Sequence, residues 1–510
     1  MFLVCFLFIF CIPDIHAADF NVNSTSDVAD SNPGDGICDT GAGECTLRAA
    51  VMEAEALAGA DNIAIPSGTY VLTNGQLVIS TGDLAITGAD AETTIIDGNG
   101  NMRIFYSFPG VDGQINVSIS NMTIKNGAGP YQGGGICTQS DLFLSNVIVE
   151  NCSVSNYGGG VYVEYLNSDA SVTIQNSIIR NNSATGSCGS GGGIYSQDPN
   201  VNVTVTDSTV SGNTANGYYL CTYSGGGGIY NSAGSVFNLI NSTVSGNSAP
   251  GAGGDGGGIY NYNGGIMNIH SSTVSGNSAS DAAGGVANLY GNATITIDNS
   301  TISGNISGGA GSGMLNTGMA SGTILNSTVA NNSGEGVNNF WGTISARNSL
   351  FANNPSGNCF SVTSMGYNLS SDYASFLQPG DMNNTNPLIG PLSNNGGPTE
   401  THALLDGSPA IDAGDPANCP AADQRGEPRP EDGNGDSNSV CDIGSYEYTL
   451  TIYDLDNSGE VDISDIMSVA ARWNTFSGDP DYDPSRDLDG DGKIDIVDIM
   501  KVAAQWGWTT

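Results

Sequence analysis

Two acidic segments near the C-terminus repeat one spacing of oxygen-bearing side chains. Residues 454–465 and residues 487–498 carry such groups at positions 1, 3, 5, 9 and 12, with glycine at position 6. Calcium prefers oxygen ligands in this arrangement, with a backbone carbonyl from position 7 and a sharp turn at the glycine. The sequence therefore predicts two bound calcium ions, held by Asp454, Asp456, Ser458, Glu460, Asp462 and Asp465 and by Asp487, Asp489, Asp491, Lys493, Asp495 and Asp498.

A short helix with periodic apolar residues is predicted after each segment, over residues 466–473 and 499–506. With the paired layout and the position-12 aspartates, residues 450–510 resemble a type I dockerin. The resemblance implies docking onto a cohesin-type receptor, usually to recruit carbohydrate-active proteins to a scaffold or cell surface. The type of receptor stays open, because the recognition positions, often Ser/Thr, are Ile463, Ser464, Ile496 and Val497. The alternative is a calcium-stiffened terminal module without such a receptor.

Nine related segments divide the middle of the chain at intervals of 22 to 34 residues. Apolar residues lie two and four positions before each anchor residue, three positions after it, and again after a glycine run. This alternation predicts three short strands per repeat, and the period is typical of solenoids. The predicted fold is mostly β: a right-handed parallel β-helix solenoid over residues 101–370, followed by a small α-helical dockerin-like calcium-binding domain. The anchors, expected to stack as an amide ladder, are Asn121, Asn146, Asn176, Asp207, Asn241, Ser271, Asn299, Asn326 and Asn348.

Both flanks of the repeats resemble parts of bacterial surface β-helix proteins. Residues 35–50, which include Cys45-Thr-Leu-Arg-Ala-Ala, resemble an N-terminal region named for a Cys-Ser-Leu-Arg-Glu-Ala sequence. The resemblance implies an N-terminal cap and first coils over residues 18–100, with a helix from about residue 46 to residue 57. Residues 371–449 contain Asn395-Gly-Gly-Pro-Thr-Glu-Thr-His402 and resemble a choice-of-anchor Q region, which implies a C-terminal cap. His402 and Asp412 are expected to be structural there.

The cysteines and the N-terminus indicate export. Residues 1–17 contain an apolar stretch, Phe2 to Ile12, and end in a small-residue site, which predicts a signal peptide and a secreted protein associated with a cell surface or scaffold. An oxidising compartment fits the remaining cysteines, although one sequence cannot prove their connectivity. Proximity suggests the pairs Cys38 with Cys45, Cys137 with Cys152, Cys188 with Cys221, and Cys419 with Cys441, leaving Cys359 single.

The charge distribution excludes several partners. The net charge is −40, and between Arg103 and Arg347 the only cations are Lys125 and Arg180. These properties argue against nucleic acid and anionic membranes as partners, and no later apolar segment is long enough to span a membrane. Lys125, Glu150 and Arg180 are expected to form a surface ion-pair row. A lyase acting on uronate polymers needs a cation at its site, and this row already uses both.

Four tyrosines follow the third inward position of consecutive repeats, so strand alternation directs them outward. Flat aromatic faces with amide neighbours suit neutral glycans, so these residues are candidates for stacking against sugar rings. The alternative is a tyrosine stack that only covers the β surface under long loops. The four residues are Tyr162, Tyr195, Tyr230 and Tyr260.

Three functional hypotheses remain. The preferred one is a non-catalytic, surface- or scaffold-attached β-helix protein that binds polysaccharides, cell-surface glycans or neighbouring cells and is tethered through calcium. The second is a dockerin-borne polysaccharide-degrading enzyme, a glycoside hydrolase or, as the less favoured alternative, a pectate-lyase-like enzyme. Its catalytic residues stay unassigned, and Asp207, Asp255 and Asp281 are the carboxylates available to it. Paired carboxylates are what glycoside hydrolysis requires. The third is a purely structural rod, and His270 is expected to be structural in each case.

Overall fold

The computed structural model describes residues 17–109, 113–129, 131–164, 170–217, 224–449, 453–455, 461–504 and 506. The predicted signal peptide lies outside this part except for its last residue. Stacked coils of short parallel strands form a β-helix, as the repeat pattern predicts. Within the described residues each complete coil passes through a 23-stranded sheet, a 7-stranded sheet and an 11-stranded sheet before it returns to the first.

The 23-stranded sheet receives two strands, or one long strand, from most coils. One ladder of this sheet contains Asp19–Asn21, Ala60–Ile65, Asp83–Gly88, Asn116–Lys125, Asp141–Glu150, Ala170–Gln175, Val201–Thr206, Val236–Ile240, Ile266–His270, Thr294–Asp298, Ser321–Leu325, Thr343–Arg347 and Val362–Ser364. The second ladder contains Gly68–Val71, Thr94–Asp97, Ile178–Arg180, Thr209–Ser211, Thr243–Ser245, Thr273–Ser275, Thr301–Ser303, Thr328–Ala330, Leu350–Ala352 and Leu369–Ser370.

The other two parallel sheets have one strand per coil. The 7-stranded sheet contains Ala128–Gly129, Ser153–Val154, Ser183–Ala184, Thr214–Ala215, Ser248–Ala249, Ser278–Ala279 and Ile306–Ser307. The 11-stranded sheet contains Leu77–Ile79, Phe105–Ser107, Ile136–Thr138, Val161–Val163, Ile194–Gln197, Ile229–Ser232, Ile259–Tyr262, Val286–Leu289, Met314–Thr317, Val337–Phe340 and Cys359–Phe360. An antiparallel pair, Ile389–Ser393 with Thr401–Leu404, follows the coils.

The core is a stack of inward-facing apolar side chains. Val203 pairs in register with Phe237, and Phe237 pairs with Met267 on the next coil. All three side chains are fully buried, and such burial stabilises the fold by about 1.5–3 kcal/mol for each large apolar side chain. Each coil therefore supplies the hydrophobic surface against which its neighbours are buried.

Buried asparagines form the continuous amide ladder, six residues after the anchors rather than at them. Asn247 Nδ2 donates to Asn277 Oδ1 at 3.0 Å and to the Val210 carbonyl at 2.9 Å. Anchor residues instead occupy left-handed turns with φ between 46° and 55°, where only some neighbours bond, as Asn146 and Asn121 do at 2.9 Å. A buried amide must find protein partners, whereas the anchors from Asn121 to Asn241 are at least partly exposed and can be hydrated. The buried ladder contains Asn182, Asn213, Asn247, Asn277, Asn305, Asn332 and Asn354.

A helix covers the N-terminal end of the rod. Helix α1, Leu47–Ala56, is N-capped by Thr46, whose side chain accepts a hydrogen bond from the Ala49 backbone N–H. Cys38 and Cys45 form a disulfide with their Cα atoms 5.1 Å apart. The loop that they close leads directly into α1.

The segment after the coils does more than close the rod. Phe376 is buried with its ring 5.8 Å from that of Phe351, so it covers the end of the core. The later part of residues 371–449 instead packs along the side of the rod, which differs from the predicted cap. Ile443 and Tyr446 share a buried cluster with outward-facing Leu350. Small outward side chains, such as those of Ala330 and Ala352, leave room for this approach.

The C-terminal module contains two short helices joined by a 3₁₀ turn, Pro484–Arg486. These are α2, Ile463–Ala470, and α3, Ile496–Ala503. Among the described residues, no helix is long and apolar enough to cross a membrane.

Candidate functional site

The two helices of the C-terminal module begin three residues earlier than predicted. Asp462 caps α2 and Asp495 caps α3, each forming a capping box with the aspartate three residues later. The capping boxes fix these starts because they satisfy backbone N–H groups at the helix end. The position-9 and position-12 aspartates of both segments therefore sit at helix N-termini.

Three carboxylates of the second segment converge. Asp487, Asp489 and Asp491 each offer an oxygen atom, and these atoms lie within 4.8 Å of one another. Asp487 also accepts hydrogen bonds from the backbone N–H groups of Gly490 and Gly492, both at 2.9 Å. This all-oxygen donor set suits a hard cation such as calcium.

The position-12 aspartate of the second loop is buried and accepts hydrogen bonds from the loop backbone. Asp498 is fully buried; its Oδ1 accepts from the Leu488 N–H at 2.7 Å, and its Oδ2 accepts from the Asp495 N–H at 2.7 Å. Lys493 Nζ lies 3.0 Å from Asp495 Oδ2, so its side chain forms an ion pair that the ligand spacing does not predict. The residues present fit the predicted calcium loop.

The first segment repeats this arrangement where it is described. Asp465 is fully buried, and it accepts from the Leu455 N–H at 2.6 Å and from the Asp462 N–H at 2.7 Å. Asp454 is also buried. The predicted ligands Asp456, Ser458 and Glu460 lie outside the described residues.

Equivalent positions of the two helices expose the same apolar side chains. Ile463 and Ile496 are 53% and 52% exposed, and Met467 and Met500 are 63% and 62% exposed. Each pair is separated by 33 residues, the spacing of the two acidic segments. Because residues four apart share one face of a helix, each helix presents an isoleucine–methionine face to the outside. The opposite faces bury Val469 and Val502 in the module core.

The predicted tyrosine strip exists but is buried, which corrects its interpretation as an open glycan surface. Tyr195 and Tyr230 stack at 4.6 Å with 4° between their rings, and Tyr230 and Tyr260 stack at 5.1 Å with 6°. With Tyr162 they are only 1–5% exposed. Loop residues cover them: Gly225, for example, lies directly against the Tyr260 ring. The ring faces are therefore used by neighbouring tyrosines and loops.

Two predicted disulfides are absent from the structure. Cys137 faces the outer tyrosine cluster, whereas Cys152 points into the core of the rod, so the two thiols lie on opposite sides of the wall. Burial raises the pKa of each thiol to about 12. Cys419 and Cys441 are also free thiols, although their side chains lie within hydrogen-bonding reach of each other; each thiol also donates to a backbone carbonyl, at 3.6 Å and 3.7 Å. Cys188 is disulfide-bonded, and Cys221 lies outside the described residues.

The structure separates Asp207 from the two other candidate acids. Asp207 lies at an exposed anchor turn of the 23-stranded sheet, whereas Asp255 and Asp281 precede strands of the 11-stranded sheet on adjacent coils. Burial raises the pKa of Asp255 to about 7, opposed by the Ala282 N–H that donates to it at 2.9 Å and reinforced by the Asp281 carboxylate.

Each of the two described histidines lies beside a hydrogen-bonding or charged partner. His402 is buried between Ser303 Oγ, 2.8 Å from Nε2, and the Gly390 carbonyl, 2.8 Å from Nδ1. His270 lies 3.3 Å from Asp298. In the expected ion-pair row, Arg180 pairs with Glu150 at 2.7 Å, whereas Lys125 lies 3.9 Å from Asp97.

Comparisons with known proteins concern the rod. The solved structure of pectate lyase Pel9A is similar to this chain with a TM-score of 0.43 and 16% identity, covering 86% of this chain and 98% of that chain. No curated protein sequence gives a significant match. A family model described as right handed beta helix region matches residues 67–231, about a third of the chain. The chain therefore contains a right-handed parallel β-helix region.

Proposed function

We propose that the C-terminal module is a calcium-dependent docking module that attaches the β-helix rod to a cohesin-type receptor outside the cell. The observation that carries this proposal is the matched exposure of Ile463 with Ile496 and of Met467 with Met500. Exposing neighbouring apolar groups to water is unfavourable in free energy for a small module unless a partner covers them. Their repetition at equivalent positions gives the module two similar faces for one kind of receptor.

Calcium would hold the helices that present these faces. The second ion would be bound by Asp487, Asp489, Asp491 and Asp498, and the first by the equivalent residues beginning at Asp454. When bound, calcium supplies positive charge that offsets the repulsion among these carboxylates. Because each loop ends in a capped helix, loss of the ion would release the helix start as well.

The charge of the module indicates which kind of receptor surface would be complementary to it. Residues 454–510 carry thirteen acidic residues and four basic ones, so the module stays acidic after two divalent ions bind. A complementary receptor has an apolar centre and a basic rim, since matched potentials favour association and exclude other partners. Secretion through residues 1–17 would bring the module to such a receptor.

Surface plasmon resonance on immobilised cohesins tests the proposal. The full-length protein is expected to bind at least one cohesin type in calcium and none in EGTA. Met467→Asp with Met500→Asp should abolish binding while both calcium sites still titrate, and Asp481→Asn should change nothing. Calcium binding without cohesin binding would reject docking and leave the calcium-stiffened module.

A second candidate function, hydrolysis of polysaccharides, is favoured by the environment of Asp255. A carboxyl with a pKa of about 7 is suited to act as a general acid, and Asp281 on the adjacent coil would be the second carboxylate. Incubation with a panel of polysaccharides, reading new reducing ends, tests this candidate. Product that persists in Asp255→Asn would rule out the assignment.

A further inference from the structure

A row of exposed apolar side chains lies at one corner of the rod. The corner is the turn by which each coil passes from the 11-stranded sheet into the 23-stranded sheet. Trp341 is 79% exposed and Met319 is 72% exposed, and the others are between 44% and 54% exposed. We call this set the aromatic row; its members are Tyr290, Met319, Phe340, Trp341 and Phe360.

Backbone register shows that the aromatic row runs along the rod. Tyr290 N donates to the Thr317 carbonyl at 3.0 Å, and Met319 N donates to the Trp341 carbonyl at 3.0 Å. Phe360 follows on the next coil, where it pairs with Asn338. The row therefore crosses four consecutive coils, each about 4.8 Å from the next.

Ring contacts hold the row together. The Tyr290 ring lies directly over Gly318, where a Cβ atom would collide with its Cδ1. The Phe340 and Trp341 rings lie 4.4 Å apart with 32° between their planes. These rings thus pack against neighbouring residues, while Tyr290 stays 44% exposed and Trp341 79% exposed.

Two aromatic residues of the row occupy a backbone conformation that is unfavourable for bulky side chains. Tyr290 and Trp341 have φ values of 60° and 63°, in the left-handed region. Their register equivalents are Asn263 and Gly318, the residue types that adopt this conformation most easily. Bulky residues in this region are outliers, and such strain is typically kept where function uses it.

The aromatic row is also free of charge in a strongly acidic protein. Residues 286–297, 314–325, 337–346 and 358–366 contain no Asp, Glu, Lys, Arg or His. Neighbouring groups such as Asn292, Asn338 and Thr343 are neutral hydrogen-bonding side chains. A charged polymer would find no opposite charge on this surface, whereas a neutral ligand does not need one.

We infer that the aromatic row binds a neutral polysaccharide chain lying along the rod, through stacking of sugar rings on Trp341 and Tyr290. Flat aromatic faces beside neutral polar groups are suited to sugar rings, which have apolar faces and hydroxyl edges. The two residues lie two coils apart, roughly 10 Å, so they meet different sugars of one chain. A protein partner fits less well, because a stable interface needs about 800 Å² on each side and this row is one side chain wide.

Affinity electrophoresis of the full-length protein in gels containing hydroxyethylcellulose, glucomannan, arabinoxylan or polygalacturonate tests this inference. At least one neutral polymer should retard the protein, and polygalacturonate should not. Trp341→Asn and Tyr290→Asn should each weaken binding about tenfold and the double variant should not bind. Asparagine suits the left-handed turn, so these variants should fold at least as stably as the wild type. Tyr131→Ala removes an exposed aromatic residue at another corner and should bind normally.

Each other outcome overturns the inference. These outcomes are no retardation by any neutral polymer, unchanged binding in the double variant, or a self-association of the wild type that the double variant abolishes. The inference goes beyond the proposed docking function, and EGTA separates the two. Polysaccharide retention should persist in EGTA, whereas cohesin binding should not.

Discussion

Asp498 Oδ1 accepts a 2.7 Å hydrogen bond from the backbone nitrogen of Leu488, ten residues earlier. One buried carboxylate thus ties the start of the second loop to the helix that follows it. Replacing Asp498 by Asn keeps the shape but removes a charge that calcium needs, so the second site should lose at least tenfold in affinity. Calorimetric titration with calcium measures the change.

Asp481→Asn is the matched control for this prediction. It removes the same charge from an exposed residue outside both loops and should leave both sites intact. Equal calcium affinity in Asp498→Asn and the wild type would contradict the assignment of Asp498 as a ligand.

The folded protein should become less stable as pH rises from about 4 to about 7, through Asp255. Its folded pKa is raised to about 7 by burial, so the folded state binds more protons than the unfolded state throughout this window. Asp255→Asn should therefore stabilise the protein at pH 8, by at most about 4 kcal/mol, and have little effect at pH 4. Urea unfolding at both pH values gives the difference, and an equal effect at both would contradict the shift.

Tyr230→Ala should destabilise the rod by about 3–5 kcal/mol, the range for removing a large buried ring. The ring is sandwiched between those of Tyr195 and Tyr260, so its loss opens a cavity in the outer cluster. Urea unfolding measures the loss, and Tyr230→Phe should retain most of the stability. Polysaccharide retention by the folded Tyr230→Ala protein should be unchanged, since the ring is buried.

Asn247→Ala should cost about 2–4 kcal/mol, because it leaves several buried backbone and amide groups without partners. Asn268→Ala is the control: that amide is half-buried on the outer face and bonds to Asn238 at 2.9 Å. It should cost less than about 1 kcal/mol. Thermal unfolding of the two variants compares these losses, and similar values would contradict the importance of burial for the ladder.

Cys137 and Cys152 should resist alkylation in the native protein at pH 8. Burial shields both thiols and raises their pKa to about 12, so the reactive thiolate is scarce. Mass spectrometry should find both labelled after unfolding without reductant, whereas Cys38 and Cys45 should also require reduction. Labelling of Cys137 and Cys152 only after reduction would instead show that the two residues form a disulfide.

The sequence by itself determined the architecture of the rod. Apolar alternation around the anchor residues places Val203, Phe237 and Met267 inward, and a side-chain period of two leaves a strand only one way to bury them. It also defined both acidic segments, because the spacing of their oxygen-bearing side chains is local in sequence. The N-terminal helix, expected from about residue 46 to residue 57, is found over Leu47–Ala56.

Only the tertiary structure decided what lies on the outside of each coil. Alternation directs Tyr195 and Tyr230 outward, but loops from other parts of the coils cover them. The local sequence pattern does not predict this burial. The same limit applied to Cys137 and Cys152, which are close in sequence yet face opposite sides of the wall. Conversely, Tyr290 and Trp341 became one surface only when coils 51 residues apart along the chain were stacked. Local periodicity fixes which way a side chain points, whereas exposure depends on segments distant in sequence.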